Sequence, residues 1–189
     1  MKYLVLFMLF IASINSYSQK EGQIFCDGDP SEDYFSLLDS KKYIVWQNTY
    51  YTEEKIGEKE VNKTIYSEYS QTWETGQVVH VLLRDHKGTV YQYEEELNKE
   101  TVRLPKKVKK GKTWKTADGL VTYEIVSLTG ELKTPVCDYK NLLVLKSTFQ
   151  NGVFVFYYQK GYGYIGATKD DVLISFVIPR LPDELLKKS

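Results

Sequence analysis

Leu142-Leu143-Val144-Leu145-Lys146-Ser147-Thr148-Phe149 runs into Gln150-Asn151-Gly152 and out again through Val153-Phe154-Val155-Phe156-Tyr157-Tyr158-Gln159. An Asn-Gly pair between two apolar, β-branched and aromatic runs is the strongest short-range hairpin signal. Both residues accept the positive φ that a turn matched to strand twist demands. Downstream, Tyr162–Thr168 and Val172–Ile178 form a further pair around Lys169-Asp170-Asp171, and Pro179 and Pro182 close the domain. Upstream, Leu120–Leu128 alternates and ends near Gly130, and Thr101–Leu104 is stopped by Pro105. Val78–Arg84 and Thr89–Glu95 flank the turn Asp85-His86-Lys87-Gly88. Thr64–Trp73 ends at Glu74-Thr75-Gly76, and Tyr43–Tyr51 reads as one more strand.

Strand follows strand at short intervals with no helix of several turns. That spacing predicts a mostly β protein with a single antiparallel sheet, strongly curved into a half-barrel or a closed barrel. A short N-terminal helix is expected at most, with Ser31 as its cap ahead of Tyr34–Leu38. Each half of the chain reads strand, hairpin, strand, which hints at a duplicated meander.

The N-terminus has Lys2, an apolar run Leu4–Ile14, and Ser16-Tyr17-Ser18 before Gln19. This is the plan of a secretory signal peptide over 1–18, too short to span a bilayer. The expected organisation continues with an extended arm over 19–31, one β domain over 32–180 and a charged tail over 181–189. The signal implies export to the periplasm or beyond, and because no later segment reaches spanning length the mature protein is expected to be soluble. Whether the chain stays in the periplasm or leaves the cell is open. Cys26 and Cys137 are the two cysteines. In an oxidising compartment they either pair, closing a loop of about 110 residues, or stand as separate buried thiols.

Basic and acidic residues balance at 25 each, which gives no electrostatic reason to expect nucleic acid as a partner. His80 and His86 are the two histidines and lack clustered co-ligands for zinc. The acidic arm Cys26-Asp27-Gly28-Asp29, with Glu32 and Asp33, matches no calcium-loop spacing and reads as solvated. No Gly-x-Ser-x-Gly elbow or cofactor motif occurs. Glu94-Glu95-Glu96 offers adjacent carboxylates without an environment that would separate their pKa values. Asn62-Lys63-Thr64 is a formal glycosylation sequon. The most distinctive charged feature is the run Lys106, Lys107, Lys109, Lys110 and Lys112, with Lys115 beyond. It reads first as a solvated loop whose lysines discourage edge pairing, and second as a contact for an anionic surface.

From Leu104 onward the chain resembles a group of exported bacterial domains of unknown function. The features are Leu104-Pro105, Gly111-Lys112-Thr113-Trp114, Thr134-Pro135 before Tyr139-Lys140-Asn141, Tyr157-Tyr158, and Lys160-Gly161-Tyr162-Gly163, with Cys137 where glycine is common. The resemblance implies a wrapped antiparallel sheet similar in kind to periplasmic lipoprotein carriers, and implies no activity. The inner face of such a sheet must be filled, covered or occupied. The expected function is therefore non-enzymatic binding of a lipid or other apolar or amphipathic ligand on the concave face. The alternatives are a filled-core module that binds an envelope protein and an enzyme of unrecognised type.

Overall fold

The structure, a computed structural model, describes residues 26, 28, 29, 32–35, 37, 41–150 and 152–181. Residues 1–18, expected as a leader, most of the expected arm and the expected tail beyond Leu181 lie outside them. The described chain is almost entirely β, a single antiparallel sheet of twelve strands nearly closed into a barrel. Six strands form the first half: β1 (Lys42–Trp46), β2 (Thr49–Val61), β3 (Thr64–Trp73), β4 (Val78–His86), β5 (Thr89–Glu94) and β6 (Lys99–Leu104). Six form the second: β7 (Thr113–Lys115), β8 (Thr122–Lys133), β9 (Asp138–Phe149), β10 (Gly152–Gln159), β11 (Gly163–Lys169) and β12 (Val172–Ile178). Each half is a meander. Pairing of β1 with β12, for example Ile44 opposite Val177, joins them into one sheet.

The hairpin centred on Gln150 is present, with Gly152 opposite Phe149 and Tyr158 opposite Leu143. The expected single strand Tyr43–Tyr51 is two strands, because Gln47 takes φ 53° and the chain reverses at Gln47-Asn48. In place of the expected N-terminal helix, the described residues Glu32, Tyr34 and Phe35 form bends.

Consecutive antiparallel strands send alternate turns to opposite ends of the barrel. The connections after β4, β6, β8 and β10 gather at one end, here the base, whereas the tip of the β2–β3 hairpin bends over to the β5–β6 turn, where Lys59 bonds Glu95 and Asn62 bonds Asn98. The N-terminal arm docks there. Its Asp29 N–H donates to the Lys160 carbonyl at 3.1 Å, and the Gly161 N–H donates to the Asp33 carbonyl at 2.9 Å. A Cys26–Cys137 disulfide ties the arm to the β8–β9 turn. The turns after β1, β3, β5, β7, β9 and β11 gather at the other end, the mouth.

Two apolar clusters fill the space between. One holds Ile44, Tyr51, Tyr139, Leu142, Ile165 and Val177. The other draws Val90 and Leu104 from the first meander against Tyr123, Ile125, Leu143, Leu145 and Tyr158 from the second. Phe35 of the arm packs on Tyr158 with ring centroids 5.7 Å apart. The outer face of the first meander is knitted differently. Arg84 grips Glu100 with two nitrogens, Nη2 to Oε2 at 2.7 Å, and the Tyr66 hydroxyl donates to the same carboxylate at 2.8 Å. The Arg84 hydrogen bonds hold the Glu100 carboxyl below its ordinary range.

Strand β11 reaches its neighbours only because position 166 lacks a Cβ. A Cβ built there would lie 2.7 Å from the Ser175 carbonyl oxygen and 2.8 Å from Leu132 Cδ2. The first of these contacts is backbone and cannot rotate away. Gly166→Ala is therefore expected to lower stability by about 2 kcal/mol, or about 4–8 °C in Tm for a chain of this size. Thermal denaturation followed by circular dichroism checks it, and an unchanged Tm would mean that β11 and β12 separate at no cost.

Candidate functional site at the barrel mouth

The barrel does not close by a ladder. Strands β6 and β7 are the two sheet edges, and side chains bridge them. The Trp114 indole N–H donates to the Val102 carbonyl at 2.8 Å, and the Ala117 N–H donates to Thr101 Oγ1 at 3.0 Å. Trp114 also stacks on Tyr123, centroids 5.4 Å apart, so the seam is anchored in the core. Here Gly-Lys-Thr-Trp carries a structural duty.

Above this seam the mouth holds a cavity of about 470 Å³. Val79, His80 and Val81 from β4 and Gln92, Tyr93 and Glu94 from β5 form part of its wall. The single 3₁₀ turn Glu95–Leu97 contributes all its residues, and Thr101, Thr116 and Asp118 complete it from the seam. The wall thus mixes apolar side chains (Val79, Val81, Leu97), carboxylates (Glu94, Glu95, Glu96, Asp118) and neutral polar groups. The hydroxyl of Thr116 and the N–H of Leu120 donate to Asp118, at 2.5 and 2.9 Å, and hold its carboxyl below the usual value. Lys59 donates to Glu95 at 2.7 Å and lowers its pKa in the same way. Tyr93 donates to Asn98 Oδ1 at 2.5 Å.

Exposed apolar side chains crown the same end. Val78, Val79, Leu97, Leu120 and Val172 come from four different connections and are 37–63% exposed. Of these, Val79 and Leu97 line the cavity.

Deeper in the barrel lie charges that the residue pattern did not single out. Arg103 donates to the Tyr123 hydroxyl at 3.3 Å, and Glu53 accepts from Gln71 Nε2 at 2.7 Å. Burial works against the Arg103 charge, yet the phenols of Tyr158 and Tyr123 and the carboxylates of Glu94 and Glu53 hold its pKa above the ordinary value. Lys42 is buried, donates to the Tyr162 carbonyl at 2.7 Å, and sits 4.7 Å from that ring's centroid. Burial pushes its pKa down, opposed by Glu53.

Of the other candidate residues, His80 contacts Glu68 at 3.0 Å beside the cavity, while His86 lies at the base end of β4. Among the described residues no group of three His, Cys, Asp or Glu side chains comes together as a metal site; Asp27 lies outside them. Asn62 of the sequon occupies the β2–β3 turn and donates to Asn98 at 3.0 Å. Lys106, Lys107, Lys109, Lys110 and Lys112 all lie exposed in the β6–β7 connection at the base, away from the cavity. Among the described residues no helix is long and apolar enough to cross a membrane. Comparison with family models, curated proteins and solved structures finds no match to this chain.

Proposed function

We propose that this protein is an exported, non-enzymatic binding module that takes a small apolar or amphipathic ligand at the barrel mouth. The observation that carries this reading is the 470 Å³ cavity whose lining includes the exposed Val79 and Leu97. Such a lining favours a ligand with an apolar body, which contacts Val79, Val81 and Leu97, and a polar group, which meets Gln92, Thr101 or Thr116. Export is supported by the leader-like 1–18 segment and by the disulfide, since disulfides persist in oxidising compartments.

The test is titration with a fluorescent apolar probe, together with native mass spectrometry of protein recovered from an expressing bacterial envelope. Saturable probe binding is expected, and Val79→Glu should weaken it about tenfold by placing an uncompensated charge on the wall. A bare mass with no probe binding sinks the proposal. That outcome favours the second reading, a protein-interaction module, which rests on the two apolar clusters filling the barrel below the mouth. Pull-down from envelope extract would then be expected to return a protein partner.

A further inference from the structure

The base of the barrel carries the opposite charge to the mouth. The mouth connections present Glu74, Glu95, Glu96, Asp118, Asp170 and Asp171. Those at the base present Lys87 and the five lysines of the β6–β7 connection. The nearest acidic groups at the base belong to the docked arm, Asp29, Glu32 and Asp33, and to Asp85, which accepts the Gly88 N–H.

The lysine connection is a built element. Gly111 N–H donates to the Ile125 carbonyl at 2.7 Å and Ile125 N–H returns to the Lys112 carbonyl at 3.0 Å. The Lys112 N–H bonds the Lys109 carbonyl at 3.1 Å, and the Lys106 N–H reaches Thr89 Oγ1 at 3.3 Å. Val108 between them packs into the second apolar cluster. With the backbone pinned and Val108 partly buried against the core, Lys106, Lys107, Lys109 and Lys110 are left exposed. A solvated loop needs no such anchoring. Like charges held this close repel one another, and an anionic partner relieves that repulsion.

We infer that the base docks on an anionic lipid surface, with the mouth and its cavity turned away from it. Charge complementarity selects the partner, and the acidic mouth selects the orientation, because a negative plane attracts one end and repels the other. A flat surface fits better than a long polyanion, which would run past the base toward the acidic end. Val136, 38% exposed in the β8–β9 turn at the base, adds an apolar side chain for the headgroup layer.

Cosedimentation with phosphatidylcholine vesicles, with and without phosphatidylglycerol, tests the inference on protein recovered from the full-length chain. Binding is expected only with phosphatidylglycerol and should fade as salt rises. Replacing Lys106, Lys107, Lys109, Lys110 and Lys112 by Gln should cost about fivefold in affinity per lysine, with circular dichroism unchanged. Glu96→Gln at the mouth should leave vesicle binding as it is. Equal binding to both vesicle types overturns the inference, as does wild-type binding by a folded five-Gln variant. So does binding of heparin or DNA with no binding to vesicles. Probe binding at the mouth is read separately, so the two proposals fail independently.

Discussion

Raising the pH above 10 is expected to unfold the barrel cooperatively, with phenolate absorbance and loss of β signal appearing together. Tyr51, Tyr139, Tyr158 and Tyr162 are buried, and the Tyr164 hydroxyl is shut away from solvent. Burial raises the pKa of all five above the ordinary 10.0, Tyr139 to about 12. Above 10 the unfolded chain gives up these protons while the folded one keeps them, so stability falls with each step of pH. Tyr139 alone, raised from 10.0 to about 12, accounts for about 3 kcal/mol once both states have ionised. Lys42 works the other way. Its lowered pKa means that the unfolded chain holds a proton the folded one has released, so its contribution rises with pH toward 10.5. One lysine against five phenols leaves the tyrosines in control, and total stabilities are only about 5–15 kcal/mol. A gradual phenolate signal with the β spectrum intact would mean that hydroxide reaches the core through the mouth. Filled clusters would then be the wrong description of the interior.

This titration probes what the residue pattern made partly visible. The Asn151-Gly152 signal and the Gly88 turn are local, and the hairpins they announce form where the chain says they should. Gln47-Asn48 announces nothing, because a Gln at positive φ is an uncommon turn residue and the flanking aromatics read as one continuous strand. The second half of β2, Glu53–Val61, is a strand dense with charge. It holds through pairing with β3, and an irregularity between Lys55 and Gly57 lies between its two stretches of regular register. The union of β1 with β12 joins residues about 130 apart in the chain, and no local pattern encodes it.

The mouth was harder still to read. In the sequence Glu94–Glu96 are only adjacent carboxylates, and nothing singles out Thr116 or Asp118. They share a cavity only because a meander sends alternate turns to one end. Arg103 and Glu53 left even less trace, since a single charged residue in a strand is far more often exposed than turned inward.

Reducing the disulfide, or replacing Cys26 and Cys137 together by Ser, is expected to cost about 4–5 kcal/mol from chain entropy, given the long loop it closes. The bond spans 111 positions, so the unfolded chain loses a large share of its freedom when cross-linked. Its structural effect is local to the base. Gln159 Nε2 donates to the Cys26 carbonyl at 3.0 Å, Tyr34 donates to the Leu128 carbonyl at 3.3 Å, and Phe35 covers Tyr158. These contacts are few, and they compete against the entropy of an arm tethered at one point. Chemical denaturation of oxidised and reduced protein measures the global term. Hydrogen exchange at the amides of Asp29 and Gly161, both bonded across the arm junction, measures the local one. Loss of both is the expected result, with the arm leaving Tyr158 and Leu104 open to water before the sheet itself melts. Full destabilisation with those amides still protected would show that the arm holds the base on its own contacts. A loss below about 1 kcal/mol would mean that the reduced, unfolded chain is already compact, and the entropic account of this bridge would fail.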